Sequence, residues 1–370
     1  MARHFPFSLG SFLGLTACAT FLSGCGGHGG QSTPPTPVTS VLQLNALDIA
    51  YDVKLGRIYV CSDPTDANYH GDIAGFSVKP LKPIADIPQS TLANSFVPSR
   101  ICVSSNGKQL FVAGKATPPL GNTQWAVTEV EIGVPQPIPS TSIMELPNGN
   151  QASRMVTNPK SAESFAVSVL NPSGTDGGTV VFDGLVPRPN TATIGSSISM
   201  DALGSKIYGL AVQTTANPSF SYAPVSPIGL GKASSSASEE PAIAGGIDGI
   251  HWANGKIVTD YGNVLDPATG NFIGSFDLPA NTYHMAVPVP GTNLVYYVVW
   301  PMTGSTPLEI LTFSLLNLSV TGTPAAVPGS VVGPVLKAVY SGNHSIAFMT
   351  SNSSLTSTSN ARVVFVSGLP

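Results

Sequence analysis

Short apolar segments recur along the chain in pairs, and the two members of each pair are separated by a polar turn. The pattern begins with DIAYDVKLGRIYV and continues with RICVSSNGKQLFV, and five of its seven occurrences span 13 residues. The seven occurrences start at Asp48, Arg100, Arg154, Ser197, Asp248, His284 and Lys337, so successive starts lie 36 to 54 residues apart. A period of about 40 to 50 residues is typical of the blades of a β-propeller. The repeat therefore predicts seven similar sheets.

Each repeat unit has room for four short strands. In the first unit we assign the strands, from inside to outside, to Ile49–Val53, Arg57–Ser62, Asp72–Val78 and Leu81–Ile87. Pairs of residues that favour tight turns lie between the paired segments of other units: Asn106-Gly107, Asn254-Gly255 and Pro290-Gly291. The strands are short and apolar, as expected where a sheet is packed on both faces. We therefore predict four-stranded antiparallel blades.

The last unit lacks a fourth strand. Its segments Leu336–Tyr340, Ser345–Thr350 and Ala361–Ser367 supply three strands before the sequence stops at Pro370. An apolar segment, Val38–Leu44, precedes the first unit and has no partner there. If it pairs with the last unit, it completes that blade and closes the ring without exposed edges. The predicted fold is all-β: a seven-bladed β-propeller closed by an N-terminal strand that completes the last blade.

The composition agrees with a chain of turns and strands. The 370 residues include 38 glycines and 33 prolines, which weaken or break helices. Charged residues make up 10% of the chain, against about 25% in an average domain, and apolar residues make up 42%, enough for a large core. An eight-bladed propeller and a pair of β-sandwich domains stay as alternative folds. The net charge of −4 provides no basic surface for nucleic acid.

The first 24 residues have the features of a secretory signal. Arg3 and His4 precede an apolar region that is short for a membrane-spanning helix. The segment Leu22-Ser23-Gly24-Cys25 resembles the bacterial lipobox, in which the cysteine sulfur receives a diacylglycerol and the chain is cut just before it. The resemblance implies that Cys25 is the lipidated first residue of the mature protein. An ordinary signal peptide with an incidental cysteine is the alternative.

A polar segment rich in Gly, Pro, Ser and Thr follows the cysteine, and we interpret it as a flexible tether. The predicted organisation is a signal peptide at 1–24, the tether at 25–37 and the propeller at 38–370. We therefore expect an exported protein, anchored by lipid in the bacterial cell envelope. Gly26, in place of an aspartate after the cysteine, favours the outer membrane over the inner membrane.

Several segments resemble the seven-bladed YVTN/lactonase-like propellers. The second strands include GRIYV at 56–60 and LFV within GKQLFV at 107–112. LDPATG at 265–270 resembles the aspartate, turn and Thr-Gly element of such blades. The resemblance extends over residues 38–370 and implies the fold, not an activity. The fourth unit departs from the pattern with a polar stretch at 234–240, and the fifth unit is short.

Every unit begins its inner strand with a polar residue. These candidate ligand-binding residues are Asp48, Arg100, Arg154, Ser197, Asp248, His284 and Lys337. If they project at one rim of the ring, they form a mixed-charge mouth that can bind an anionic or polar ligand, and the two arginines can bind a carboxylate. The alternative is that these side chains are solvated or paired with one another.

No catalytic or metal-binding motif stands out. The chain lacks HExxH, GxSxG, Walker-type and CxxC spacings, and its six histidines show no paired ligand spacing. We therefore assign no catalytic residue, no metal ligand and no cofactor. The carboxylates of Asp63, Asp66 and Asp72 could hold Ca²⁺, although a solvated loop is the simpler interpretation. Cys61 and Cys102 lie in neighbouring units, so they form either a disulfide or two buried thiols.

Three classes of function remain. We expect a monomeric, membrane-anchored binding or scaffold propeller for an unidentified protein, glycan or small-molecule ligand, because this class needs no catalytic constellation. A lactonase-like hydrolase or lyase would need a metal or an acid–base group in the central opening of the ring, where the loops meet the ends of the inner strands. His284 with Asp48 or Asp248 is the candidate set. A quinoprotein-like redox domain would need a broad aromatic floor, for which Trp252 is the suggestive residue. Whether the protein is an enzyme stays open.

Overall fold

The computed structural model describes residues 37–117, 121–211, 219–236, 249–303, 307–328, 331, 333–351 and 361–370. The predicted signal peptide at 1–24 lies outside these residues, as do Cys25 and all of the predicted tether except Pro37. The candidate site residue Asp248 lies outside them as well. Within the described ranges, no helix is long and apolar enough to cross a membrane.

The described strands form seven antiparallel sheets, here called blades. The first strand along the chain is β1 (Val38–Leu42). Blade 1 consists of β2 (Ala46–Asp52), β3 (Arg57–Ser62), β4 (Ile73–Val78) and β5 (Leu81–Pro83). Blade 2 consists of β6 (Val97–Val103), β7 (Gln109–Ala116), β8 (Gln124–Glu131) and two short outer strands, β9 (Ile138–Pro139) and β10 (Met144–Glu145). Blade 3 consists of β11 (Gln151–Thr157), β12 (Ser164–Leu170), β13 (Asp176–Asp183) and β14 (Val186–Pro187).

The remaining blades repeat this order from the inner strand outward. Blade 4 consists of β15 (Ser197–Met200), β16 (Lys206–Ala211), β17 (Ser219–Ser226), β18 (Gly229–Leu230) and β19 (Ser234–Ser236). Blade 5 consists of β20 (Ile250–Ala253), β21 (Lys256–Thr259), β22 (Asn263–Leu265) and β23 (Phe272–Ser275). Blade 6 consists of β24 (Thr282–Pro288), β25 (Leu294–Pro301), β26 (Glu309–Ser314), β27 (Ser319–Val320) and β28 (Ala325–Ala326). Blade 7 consists of β29 (Val335–Tyr340), β30 (Ile346–Thr350) and β31 (Arg362–Ser367), completed by β1.

The predicted closure of the ring is confirmed. β1 pairs with β31 in antiparallel register, with Val38 opposite Ser367 and Leu42 opposite Val363. The N-terminal strand therefore covers the outer edge of the last blade, which would otherwise expose unpaired backbone groups. The seven inner strands contact one another in sequence, and β29 of the last blade contacts β2 of the first. The fold is thus the predicted seven-bladed propeller.

The hydrophobic core is divided among the joints between blades. Seven clusters of buried side chains are found in the described part of the chain, and each combines residues of two neighbouring blades. A strand can serve two clusters because its side chains alternate between its faces. On β7, for example, Leu110 packs toward blade 1 and Phe111 packs toward blade 3. This explains why the strands are apolar on both faces.

The Phe111 ring illustrates how tightly these layers pack. It stacks on Phe165 with 4.2 Å between ring centroids, and Phe165 in turn stacks on Phe182 at 5.1 Å. All three side chains are fully buried. Burial of one large apolar side chain contributes about 1.5–3 kcal/mol, so the joints between blades supply much of the stability.

The hairpin turns between first and second strands are specified by short polar side chains. Asp52 Oδ1 accepts the backbone N–H groups of Lys54 and Leu55 at 2.8 and 3.1 Å, in the turn that Gly56 ends with a φ of +62°. Asp201 plays the same part in blade 4, where its Oδ1 accepts the N–H of Ser205 at 2.7 Å. These local hydrogen bonds determine where each inner strand stops.

The ring has two faces. One face, here called the tether face, carries the turns between the first and second strands and those between the third and outermost strands. Val38, where β1 begins, also lies on it, because β31 ends there and pairs antiparallel with β1. The distal face is the opposite one, where the inner strands begin.

Candidate functional site

A central cavity of about 700 Å³ opens on the tether face. The ends of all seven inner strands contribute to its wall, together with the turns that follow them. Most of its large lining side chains are apolar or aromatic: Tyr51, Val53, Val103, Met155, Met200, Trp252, Val287 and Tyr340. Since pockets of about 300 to 1,000 Å³ bind small molecules in many proteins, we call this cavity the funnel and treat it as the candidate site.

Aromatic side chains on opposite sides of the funnel are held in place by neighbours. Tyr51 and Tyr340 meet edge to face, with 6.5 Å between ring centroids and an interplanar angle of 86°. Trp252 stacks on Tyr208 at 5.7 Å. The pKa of Tyr51 is raised, first by burial and then by Tyr340 and Asp52, so its phenol is uncharged near neutral pH. The wall therefore presents firm, uncharged aromatic surface.

Gly342 leaves the space that the Tyr51 hydroxyl group occupies. A Cβ atom added to Gly342 would lie 2.3 Å from the Tyr51 oxygen. The φ of Gly342 is +81°, a conformation that glycine adopts without steric cost. The turn of blade 7 thus positions an aromatic side chain of blade 1.

A buried ion pair lies at the base of the funnel, where the last blade meets the first. Lys337 Nζ donates a hydrogen bond to Asp48 Oδ1 at 2.5 Å. The same carboxylate accepts the N–H of Ile49 at 3.0 Å and, through Oδ2, the N–H of Ile101 at 2.9 Å. Asp48 therefore ties blade 1 to both of its neighbours. Lys337 also contributes to the lining of the funnel.

The two predicted arginines also connect neighbouring blades. Arg100 donates from Nε to the carbonyl oxygen of Ser153 at 2.8 Å. Arg154 donates from Nη1 to the hydroxyl of Ser197 at 2.6 Å, and that hydroxyl accepts the N–H of Ile250 at 3.2 Å. The pKa of Arg154 is lowered, chiefly by burial, and the carboxylates of Asp260 and Asp48 oppose this shift. These guanidinium groups therefore stabilise the joints of blades 2, 3 and 4.

The inner strands bring these charges together by a shared irregularity. The pairing register shifts just before Asp48, Arg100, Arg154 and Lys337. A bulge of this kind turns a side chain away from its regular direction. Four of the seven predicted rim residues therefore project from equivalent positions around the channel.

The structure places the other predicted rim residues differently. Ser197 takes part in the contact with Arg154 described above. The Nε2 of His284 lies 2.7 Å from Thr282 Oγ1 and 3.3 Å from the Pro279 carbonyl oxygen, and no hydrogen bond joins it to Asp48. Burial lowers the pKa of His284. Most of the charged candidates are thus hydrogen-bonded to neighbouring blades. They lie near the beginnings of the inner strands, whereas the funnel opens where those strands end.

The sequence did not predict a contact between His251, which lines the funnel, and the buried Asp260. His251 lines the funnel, and its Nε2 lies 2.9 Å from Asp260 Oδ1. That oxygen also accepts the N–H of Ala286 at 2.8 Å, whereas the buried Oδ2 has no partner among the described residues. Gly249 makes room for this carboxylate, because an added Cβ would lie 2.2 Å from Oδ2.

The turn in blade 5 holds the information that would have revealed this pair. Asn254 and Gly255 both have positive φ, 43° and 87°, as a two-residue hairpin turn requires. The turn places Ile250 opposite Thr259. Asp260 therefore lies one residue beyond the paired segment, opposite Gly249, and is the diagonal neighbour of His251. The pairing register that follows from the Asn254-Gly255 turn could have predicted the contact between His251 and Asp260, whereas no spacing motif indicates it.

The two cysteines are free and buried in the structure. Cys61 belongs to the apolar cluster between blades 1 and 2, and Cys102 to the cluster between blades 2 and 3. Their side chains therefore lie in different layers. Of the two predicted states, the structure has the two buried thiols and not the disulfide. Burial raises the pKa of both thiols.

The acidic segment of blade 1 forms an internally bonded loop. Asp66 accepts the backbone N–H groups of Asn45, Asn68 and Tyr69 at 2.6 to 2.9 Å. Asp72 accepts the N–H of Gln89 at 2.7 Å, and Asp63 accepts that of Thr65 at 2.8 Å. In the described part of the chain, no group of three His, Cys, Asp or Glu side chains is arranged to hold a metal ion.

The comparisons with known proteins identify no family for this chain. No family model matches the sequence, and no curated protein matches it. Two solved structures show a weak likeness to this chain: the soluble aldose sugar dehydrogenase of Escherichia coli in its apo form, and a protein from Thermus thermophilus described as a putative oxidoreductase (glucose dehydrogenase). Each is 9% identical with a TM-score of 0.46, over 90% and 89% of this chain and 100% and 99% of the other chain. We draw nothing about the fold or the site from this likeness.

Proposed function

We propose that the protein is a binding propeller of the bacterial cell envelope, held at the membrane by a lipid on Cys25. Its funnel receives the apolar or aromatic part of a small molecule. The observation that carries the proposal is the funnel itself, a cavity of about 700 Å³ with aromatic walls and with Lys337 and His251 at its base.

The chemistry of the wall defines the class of ligand. Tyr51, Tyr340 and Trp252 offer flat surfaces for stacking. An ammonium group has three donors, and the described residues engage Lys337 through one hydrogen bond, to Asp48. A ligand with an acceptor group at one end can therefore reach Lys337 while its apolar part contacts the wall. Arg100 and Arg154 are hydrogen-bonded to Ser153 and Ser197. The predicted binding of a ligand by a ring of charged residues is therefore less favoured.

Fluorescent probes with a shared skeleton test this proposal. N-phenyl-1-naphthylamine and its 8-sulfonate have the same rings and differ by an anionic acceptor group. They are titrated into a chain that begins at Gly26, which contains every strand of the ring. We expect saturable binding of both probes, tighter for the sulfonate, and a loss of about tenfold, or 1.4 kcal/mol, on Tyr340→Ala.

Tyr283→Ala is the matched control. Tyr283 is a half-buried tyrosine on an inner strand, with Trp300 at 5.8 Å, and it does not line the funnel. Its removal should leave probe affinity unchanged. Equal losses in the two variants, or binding that never saturates, would reject the funnel as the site.

The anchor is tested separately. The lipobox-like segment Leu22 to Cys25 and the polar segment after it support lipidation and export, with the outer membrane favoured. Wild-type protein should partition into the detergent phase with a mass increase on Cys25, and Cys25→Ser should stay in the aqueous phase. Equal partitioning of the two proteins would refute the anchor.

A hydrolase or lyase is the second candidate, and the His251–Asp260 contact favours it. A carboxylate that accepts from Nε2–H leaves Nδ1 of the imidazole as a proton acceptor, and a funnel-lining histidine so oriented can serve as a general base. Turnover of a lactone or ester that is lost in His251→Ala and kept in His284→Ala would establish this function. Absence of turnover across a panel of both substrate types would leave the binding proposal alone. The quinoprotein-like alternative stays a hypothesis without such a contact.

A further inference from the structure

We propose that the tether face of the ring lies against the surface of the lipid bilayer, with its exposed apolar side chains in the headgroup region. This inference rests on the anchoring of Cys25 proposed above, and it adds which face of the ring meets the membrane. Three features of the described residues support it: where the chain enters the ring, where the exposed apolar side chains lie, and how the charges are distributed.

The chain enters the ring on this face. β1 begins at Val38, which is paired with Ser367 near the end of β31. The segment from Cys25 to Pro37 has 13 residues and, fully extended, spans about 45 Å. A lipid on Cys25 is therefore joined to the ring at the tether face, and the two features that follow decide which face meets the membrane.

Exposed apolar side chains concentrate on the same face. Of the twelve large apolar side chains that are exposed in the described part of the chain, ten lie in or beside its turns and Val38 lies at the start of β1, so every blade contributes at least one. The most exposed are Leu316 at 77%, Leu203 at 69% and Val186 at 67%. The exception is Met302, which follows β25 on the distal face at 46%.

The pattern of these side chains fits a bilayer better than a protein partner. They are spread around the whole ring, and five of them, including Val53, Leu203 and Leu316, lie in turns. A protein interface has a fully buried apolar core inside a polar rim, which side chains spread around a ring do not form. Shallow insertion at several points suits the boundary between headgroups and acyl chains, where apolar side chains of peripheral proteins are buried about 5–10 Å deep.

The charge distribution points the same way. With the buried side chains around the channel left out, the described part of the distal face carries eight carboxylates, including Asp63, Asp72 and Glu309, but only two cationic side chains, Lys115 and Arg362. The other Lys and Arg side chains outside the channel flank the turns and outer strands of the tether face, where they outnumber the carboxylates. Anionic lipid attracts such lysines and repels the distal face.

Site-specific fluorescence on the mature, lipidated full-length protein tests this orientation. Leu316→Cys and Met302→Cys each introduce one exposed thiol, while Cys61 and Cys102 are buried. Each variant is labelled with a nitrobenzoxadiazole dye and reconstituted in vesicles of phosphatidylethanolamine and phosphatidylglycerol that contain a shallow spin-labelled lipid. We expect at least threefold stronger quenching at position 316 than at 302, together with a blue-shifted emission at 316.

Flotation of the same samples separates the two proposals. Protein that fails to float with the vesicles shows that the anchor is absent. Protein that floats but shows equal, weak quenching at 316 and 302 overturns the orientation while leaving the anchor intact. Stronger quenching at 302 would also overturn it. The double variant Leu203→Ser/Leu316→Cys should show weaker quenching than Leu316→Cys alone, because one insertion point is lost.

Discussion

Lys337 in the last blade donates a hydrogen bond to Asp48 in the first blade, across the joint that closes the ring. The two residues are 289 positions apart in the sequence. Asp48 also accepts a backbone N–H from blade 2. One buried carboxylate thus connects three consecutive blades, and the closure of the ring depends on a charge as well as on the pairing of β1 with β31.

Removing this carboxylate should destabilise the fold. Loss of one partner of a buried ion pair costs about 3–5 kcal/mol, and the partial exposure of Lys337 places the expected loss for Asp48→Ala at about 3 kcal/mol. Urea denaturation followed by tryptophan fluorescence measures it. Asp183→Ala, which breaks the more exposed pair with Arg188, is the control and should cost at most about 1 kcal/mol. Similar losses in the two variants would contradict the role of Asp48.

Gly342 should tolerate substitution poorly. Its φ of +81° and the 2.3 Å separation between an added Cβ and the Tyr51 oxygen together predict a loss of about 3 kcal/mol for Gly342→Ala. Gly255→Ala is the matched case, because Gly255 has a φ of +87° and no atom within 4 Å of the added Cβ. That variant should lose only about 1 kcal/mol. Tyr51→Phe should restore part of the stability of Gly342→Ala, and no rescue would mean that the clash is not with the hydroxyl.

His284 should make the fold sensitive to mild acid. Burial lowers its pKa from the ordinary value of 6.5, so below that pH the unfolded chain binds a proton that the folded chain does not. The free energy of unfolding should therefore decrease as pH falls from 7 to 5 and should be insensitive to this group above pH 7. Melting temperatures of wild type and His284→Gln across this range measure the effect. The variant should lose less stability on acidification, and parallel curves would exclude the histidine as the cause.

The two internal thiols should be unreactive in the folded protein. Burial raises the pKa of Cys61 and Cys102, and the thiolate is the reactive form. Iodoacetamide at pH 8 should add no mass at either cysteine in the native state and should alkylate both after denaturation without reductant. Intact mass spectrometry measures this, with Leu316→Cys as a positive control. Failure to alkylate the denatured chain without reductant would show that a disulfide exists.

The architecture was predictable because it repeats. A unit with three strands at one end and an unpaired apolar segment at the other end left one arrangement that closes the ring, and β1 pairs with β31 accordingly. The starts of the inner strands were also informative, since Asp48, Arg100, Arg154 and Lys337 occupy equivalent bulged positions.

The site was less predictable because it depends on contacts between distant segments. The sequence pattern marks the beginning of each inner strand, whereas the funnel is formed where those strands end. His251 and Asp260 are nine residues apart and meet through hairpin register. The separation of Cys61 from Cys102 depends on which face of a strand each side chain occupies, and neither fact follows from composition or spacing.

The strand that completes the last blade also determines how the molecule bears load. Under the anchoring and orientation proposed above, tension from the lipid would enter at Val38 and act along β1 rather than across it. The five paired residues from Val38 to Leu42 then resist together in shear, instead of parting one after another like a zipper. A ring attached in that way would therefore resist the loss of its N-terminal strand with all five paired residues at once.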